Sequence, residues 1–496
     1  MNKNLGKDPD KRYAITEYHD TKILYEQLSA LTGQPIRALK RDALDEYLQY
    51  YEKKCGKSKA VIEQAREIIP GGVQHNLAFN FPFPLVFTQA RGAYLKDIDG
   101  NRYIDFLQAG GPTVLGSNPK RVREKVIELI NETGPSTGLF HEYELKLAAK
   151  IAEHVQGVDM FRMLGSGTEA AMASIRVARL ATGKKYVLKM GGAYHGWSDQ
   201  LAYGIRIPGT KFLESHGVPR NCFKYTQEFF PNRIESLERK LRINSLRGGT
   251  AAVLMEPVGP ESGTRPLDRD FNMKVRELCD RYGALLIFDE VVTAFRLGMG
   301  CAQGYFGVIP DLTIFGKVIA GGYPSAGGLG GKREFMRYMA AGIESGSKKA
   351  LVGGTMAANP LSSAAGYYTL CEMERTRAPE KAGRAGDRLT KGLQAIIKKY
   401  GLPFVAFNQG SICHLETVGT MLFHVPWNTP WKIPALLKEV KARKQVMEEM
   451  GAAYMAEGIV TLAGSRIYTS AADTDAIIDE ALVRFDRVFR NIEGVS

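Results

Sequence analysis

The sequence predicts an α/β protein: a large domain on a mostly parallel sheet with helices on both faces, beside a smaller α+β domain. From Val122 to about Tyr368, helical stretches alternate with short apolar, β-branched runs, which is the pattern of successive strand-helix units. At 496 residues the chain exceeds the size at which a single core usually stops growing. Its 53 glycines and 44% hydrophobic content suit tight strand-to-helix turns rather than a fibrous or disordered chain. These features suggest a helical N-terminal extension over 1–68, a small domain formed by 69–120 and 369–496, and a large domain over 121–368.

In chain order, Ile36 to Tyr51 carries apolar residues at three- and four-residue spacing among charges, so residues from about Tyr18 to Gln64 read as helices packed on the body. Ile69-Pro-Gly-Gly72 interrupts that pattern. Two alternating runs, Ala93 to Phe106, flank Asp99-Gly-Asn101 and predict a β-hairpin with a type I′ turn. The large-domain strands are read at Tyr186–Met190, Ala251–Glu256, Ala284–Asp289 and Leu312–Phe315, with a further apolar run at Met160–Leu164. Ligands of such sheets bind at the carboxyl ends of the strands. Asp475 to Asn491 closes the chain as an amphipathic helix.

Composition narrows the function. Six cysteines without CxxC spacing or a histidine-rich partner argue for free thiols in a reducing cytoplasm and against zinc. The polar start, Met1 to Asp10, lacks the apolar core of a signal peptide, and no run of about 18 apolar residues is present to span a bilayer. A net charge of +13 is dispersed in groups interleaved with acids, as in Lys438-Glu-Val-Lys-Ala-Arg-Lys444, so it reads as solvated helix faces rather than a nucleic-acid surface.

Five segments carry the chemistry. Leu312 to Gly316 delivers Lys317 to the end of a buried strand, where a lysine is costly unless something uses it. Taken alone it is an ordinary strand-end lysine; the other segments change that. Gly165-Ser-Gly-Thr168 opens a helix, and the free N–H groups there, with the hydroxyls of Ser166 and Thr168 and close approach at Gly167, form a phosphate seat; plain helix capping is the alternative. The segment matches neither GxxxxGK[ST] nor GxGxxG, which disfavours nucleotide readings. Asp289 ends its strand needing a cation, and a protonated pyridine nitrogen would serve; magnesium with Glu290 lacks the acids for an octahedral shell. Tyr194 offers a surface for a flat ring, while His195 reads equally as a structural histidine or a proton shuttle. Thr355 adds a hydroxyl on the Gly353-Gly354 pair, by itself only a turn.

Together these segments resemble the class III (subgroup II) pyridoxal-phosphate aminotransferases, a family that includes glutamate-1-semialdehyde aminomutase. GSGTEA, YHG, FDEVVTAFR, PDLTIFGKVIAGGYP with Lys317 following Asp289 by 28 residues, and GGTMAANP occur in family order between about Ile69 and the C-terminus. The resemblance implies the type I fold of pyridoxal-phosphate-dependent transferases, with Lys317 joined to the cofactor as an aldimine and Asp289 on the pyridine nitrogen. It further implies Ser166, Gly167 and Thr168 on the phosphate, Tyr194 and Val291 on the two ring faces, and His195 and Glu256 among the cofactor-binding residues. Thr355 would come from a second subunit, so the active unit would be a cytoplasmic homodimer. Freed from the cofactor, Lys317 would act as general base and acid for the proton shift.

The expected reaction is a ping-pong exchange of an amino group between an amino acid or amine and a 2-oxo acid such as 2-oxoglutarate; an aminomutase or a racemase on the same cofactor is the alternative. Semialdehyde aminomutases, and some similar β-amino-acid transaminases, carry a carboxylate-binding arginine shortly after the segment that here reads Pro70 to Phe79, and this chain has none there. Glu256-Pro-Val-Gly-Pro-Glu-Ser-Gly263 resembles the family's EPxxGExG segment with Pro260 replacing a glycine, and Arg466 falls where ornithine-type enzymes place an arginine. Arg466 is thus expected to clamp a substrate carboxylate, with Glu261 as its switch; a fixed ion pair is the alternative. Pocket shape depends on the loops Phe79–Pro84, Thr137–His141 and Leu201–Pro219.

Overall fold

The computed structural model describes residues 13–78, 80–134, 136, 138–342, 348–462 and 464–495. The sequence readings at Met1 to Asp10, and at Phe79 and Thr137 in the pocket loops, fall outside the described residues. The chain divides into two compact units, one built mainly from Lys120–Pro379 and the other from Ala14–Pro119, Glu380–Leu422 and Thr429–Ser496. No helix among the described residues is long and apolar enough to cross a membrane.

The larger unit holds seven strands: β1 (Met160–Leu164), β2 (Tyr186–Met190), β3 (Thr226–Phe229), β4 (Thr250–Met255), β5 (Leu285–Asp289), β6 (Leu312–Gly316) and β7 (Gly327–Gly331). They lie in the order β1-β7-β6-β5-β4-β2-β3. β6, β5, β4, β2 and β3 are mutually parallel, and β7 runs antiparallel to both β6 and β1. Every residue of β4, β5 and β6 is buried, because helices cover both faces; this is why these strands read as unbroken apolar runs. β7, of sequence GGLGG, is absent from the sequence reading. Its glycines answer to neighbours: a Cβ at Gly328 would lie 2.5 Å from the Phe161 ring and one at Gly331 2.5 Å from the Asp311 carbonyl. One consequence is that the helix Gly167–Thr182 seats its first turn directly on β7, where a Cβ at Gly327 would strike the Ser166 backbone.

In the smaller unit, helices Thr21–Thr32 and Arg41–Lys54 bury Leu24, Leu28, Leu31 and Leu44 in a core shared with Leu389, Tyr454, Phe485 and Phe489. Arg443, itself buried, donates to the carbonyls of Thr32, Gln34 and Val418 and so gathers the end of the first helix onto helix Ile433–Ala456. Three antiparallel strands, Phe87–Arg91, Tyr94–Asp97 and Arg102–Asp105, are extended by Ile459–Val460, and a separate three-stranded sheet joins Val405–Gln409, Ile412–Glu416 and Arg466–Tyr468. The hairpin expected around Asp99 is present, but its type I′ turn is a misreading. Only Gly100 among the loop residues has positive φ (+96°), whereas type I′ needs two in succession, and the loop runs over four residues, 98–101. The Asp99 carboxylate explains the wider loop, since it accepts from the Lys57 and Ser58 N–H groups (2.7 and 3.0 Å) and caps helix Gly56–Ile68.

Candidate active site

Five parallel strands of the large sheet share one carboxyl edge, and four of them, with β1, deliver polar side chains to it. β1 ends at Leu164 and the chain turns at Gly165 into the helix Gly167–Thr182. Ser166 is the N-cap: its Oγ accepts from the Glu169 N–H at 3.2 Å, and the Glu169 carboxylate returns to the Gly165 N–H at 2.9 Å. Capping and anion binding are therefore compatible here, because the N–H groups of Gly167 and Thr168 are left at the positive end of the helix dipole. Close approaches tie this turn to the rest of the site. A Cβ at Gly167 would lie 2.9 Å from one methyl of Val291, and one at Gly316 2.8 Å from the other. Val291 thus stands between the helix start and the end of β6. Gly196, at φ +87°, brings the loop after His195 against Thr168 so closely that a Cβ would lie 2.7 Å from the Thr168 Cα.

At the end of β5, Asp289 is buried and its two oxygens are divided: Oδ1 accepts from the Val291 N–H at 3.0 Å, and Oδ2 lies 2.7 Å from His195 Nδ1. Burial pushes the His195 imidazole below its usual range against the pull of Asp289, so the ring is neutral at neutral pH. Its one proton then faces the carboxylate, which leaves Nε2, buried and without a hydrogen-bond partner, as an acceptor. The partner missing from the sequence reading of His195 is therefore Asp289.

Glu256, at the end of β4, sits in a backbone cradle. It accepts from the N–H groups of Tyr194 (3.2 Å), Glu261 (3.0 Å) and Ser262 (2.5 Å). Glu261 and Ser262 both take left-handed conformations, φ +53° and +55°, to aim those N–H groups at one carboxylate. Desolvation, with the charges of Asp289 and Glu261 nearby, outweighs these donors and pushes the Glu256 carboxyl up to about 8. In the cofactor-free protein this group holds a proton that the unfolded chain releases near its ordinary value. Its contribution to stability is full below that ordinary value and is lost as pH rises through about 8. Chemical denaturation of Glu256→Gln from pH 5 to 9 is expected to show a shallower decline than the native protein; equal slopes would refute the assignment.

Lys317 follows Gly316 and opens a short 3-10 turn with φ +52°, half-buried at the end of β6. A left-handed lysine costs on the order of 1–2 kcal/mol relative to the ordinary regions, a strain that clusters at functional positions. Tyr194 is 48% exposed, and its phenol is held above its usual value by desolvation and Glu261, with Arg206 opposing. Thr355 is exposed in a turn whose Gly354 lies against Glu169: a Cβ there would be 3.2 Å from Oε2. The edge thus unites Ser166, Gly167, Thr168, His195, Asp289, Val291 and the backbone of Gly316-Lys317, with Tyr194, Glu256 and Glu261 joined through the Glu256 cradle. Arg466 belongs to the smaller unit, on a strand paired with Ile412–Glu416 opposite His414; it lowers the carboxyl of buried Glu416, which desolvation nonetheless pushes up to about 7.

Two further residues escaped the sequence reading. Lys189 in β2 and Glu228 in β3 are buried charges inside strands, and a lysine in an otherwise apolar strand is the signal that had singled out Lys317.

Comparison with known proteins agrees with this geometry. The family model for class-III aminotransferases matches residues 78–467. A protein of Shouchella clausii named glutamate-1-semialdehyde 2,1-aminomutase 2 is 36% identical over 450 residues, covering 88% of this chain and 98% of that protein. An omega-transaminase from Sphaerobacter thermophilus superposes with a TM-score of 0.76 at 27% identity, over 89% of this chain and 99% of its own. A transaminase solved with pyridoxal phosphate bound gives a TM-score of 0.75 at 25% identity, over 88% of this chain and 97% of its own. The fold is that of the pyridoxal-phosphate-dependent transferases, and the open helix start at Ser166, the buried Asp289 and the strand-end Lys317 suit that cofactor. The chain belongs to the class-III aminotransferases, enzymes that work with pyridoxal phosphate.

Proposed function

We propose that this enzyme shifts an amino group between neighbouring carbons of one substrate, an aminomutase reaction of the glutamate-1-semialdehyde type. The observation that carries this reading over transamination is the 36% identity shared with a protein named for that activity along nearly its whole length. Pyridoxal phosphate supplies an electron sink for the pair left when a substrate carbon loses its proton. Ser166, Gly167 and Thr168 would hold its phosphate and Tyr194 and Val291 would flank its ring, while Glu256 fixes the loop that carries Tyr194. Asp289 would pair with the ring nitrogen, and His195 holds that carboxylate in place. Lys317, at the strand end, would hold the cofactor through its amine and is the base placed to move a proton at the substrate carbons. Thr355 serves the site of a second copy in a cytoplasmic homodimer; its exposure, together with that of Leu351 (77%) and Met356 (55%), supports a partner surface there.

A second reading, transamination between an amino acid and a 2-oxo acid, is favoured by one observation: no arginine follows shortly after the Pro70 to Phe79 segment to take the semialdehyde's carboxylate. In that case Arg466 holds the carboxylate of glutamate or 2-oxoglutarate, with Glu261 as its switch. The holoenzyme given glutamate-1-semialdehyde and no 2-oxo acid distinguishes the two. An isomer of unchanged mass, formed over many turnovers, is expected; turnover that begins only when 2-oxoglutarate is added would assign transamination instead.

A further inference from the structure

Lys189 and Glu228 stand directly opposite each other on the parallel strands β2 and β3. Lys189 has no exposed surface, and Glu228 is buried with it. Opposite charges in register would ordinarily form an ion pair, yet each directs its charge at backbone. The Lys189 ammonium donates to the carbonyls of Ala193 (2.9 Å), Tyr203 (2.6 Å) and, more weakly, Leu201 (3.4 Å). The Glu228 carboxylate accepts from the N–H groups of Gly209 (2.7 Å) and Lys211 (2.8 Å). All five groups belong to a single loop, Ala193 to Lys211, so the cation takes its carbonyls and the anion its amides. The fit is tight, since a Cβ at Gly191 would lie 2.9 Å from Glu228 Oε2. The loop is closed on itself by Gly192 N–H to Gly204 O (2.9 Å) and Gly204 N–H to Lys211 O (2.6 Å). Its first residues are those of the site: the Tyr194 N–H on Glu256 and the His195 ring on Asp289.

We propose that Lys189 and Glu228 are positioning residues, a two-polarity clamp that fixes the Ala193–Lys211 loop and thereby holds His195 on Asp289 and Tyr194 at the cofactor. A buried lysine without a carboxylate partner is expensive, and a hydrophobic side chain would pack β2 at lower cost; what the ammonium adds is a fixed position for three carbonyls. Burial pushes Lys189 down to about 8, while Glu228, Glu256, Glu261 and Asp289 pull it up. Glu228 in turn faces Lys211, Lys240 and Tyr203 besides Lys189, and Lys189 also acts on His195. The clamp therefore loosens on the alkaline side: as Lys189 gives up its proton, the carbonyls lose their cation.

Only the link to the cofactor rests on the function proposed above. Hydrogen exchange of the holoenzyme, corrected for intrinsic rates, reads the clamp itself, and the cofactor's dissociation constant and absorbance read the link. Lys189→Met is expected to raise exchange across 194–211 at least tenfold without changing β4 and β5, and to weaken cofactor retention about tenfold. The native loop is expected to open above pH 8, and Lys189→Arg, which keeps its charge, to move that opening above pH 10. Native-like loop exchange in Lys189→Met, or an inflection near pH 8 across 201–211 that persists in Lys189→Arg, would overturn the clamp. If Lys189→Met does not fold, the Lys189→Arg profile decides alone. A loosened loop with unchanged cofactor binding and absorbance would leave the clamp standing and remove its role at the cofactor.

Discussion

Lys317→Ala is expected to abolish turnover, lowering kcat by about 10⁴-fold or more, while the protein folds as before. The size follows from the loss of two roles at once, since covalent anchoring and proton transfer each contribute factors of about 10² or more and the residue is proposed to supply both. Retention of the fold follows from the backbone. Lys317 already holds φ +52°, and alanine bears the same left-handed strain as any residue with a Cβ, so the substitution adds none. Its side chain is half-buried at the strand end rather than packed in the sheet's core, so the stability change should stay within about 1 kcal/mol. Single-turnover kinetics with thermal unfolding of the same preparation tests both parts. A variant keeping a few per cent of native kcat would remove Lys317 from the chemistry; one that fails to fold would make its role structural.

The order of the site along the chain was legible because each part is a local motif at the end of a buried strand. The runs ending at Phe288 and Gly316 are apolar because helices cover them, and an apolar run followed by a polar residue is visible without any knowledge of pairing. What pairing decides was not legible. Gly327–Gly331 has no strand signature of its own; Phe161 and the Asp311 carbonyl exclude its side chains, and both lie on other elements. His195 and Asp289 are 94 positions apart, so the bond that fixes the imidazole's tautomer exists only once β2 and β5 share an edge. Lys189 and Glu228 became a pair only through the register of β2 and β3. The turn at Asp99 shows the converse error: its Asp-Gly-Asn sequence does make a hairpin, but the carboxylate caps a helix and sets a longer loop. For the reaction type, a local motif and overall similarity point differently, and the similarity favours the aminomutase alternative over transamination. The missing arginine after the Pro70 to Phe79 segment is a single local departure, whereas the similarity to a named aminomutase is spread over 88% of the chain.

Asp289→Asn is expected to lower kcat by about 10²–10³-fold with little change in KM, because the carboxylate is proposed to act on charge that develops during reaction rather than on substrate binding. The amide is nearly isosteric, so the Val291 N–H can still donate to the side-chain oxygen at position 289, and β5 keeps its packing. What changes is charge and polarity. An asparagine can satisfy the ring nitrogen of the cofactor only as a neutral partner, so the electron sink is weakened. If the amide turns its NH₂ towards His195 Nδ1, the imidazole must surrender that proton to Nε2, which now has no partner in its buried position. Asp289→Asn should therefore shift the bound cofactor's absorbance as well as its rate. His195→Asn, which leaves the charge in place and removes only its orientation, should lose no more than about tenfold in kcat, as outer-shell partners typically do. If instead the histidine variant were as damaged as Asp289→Asn, the proton on His195, and not the negative charge of Asp289, would be the group the reaction depends on.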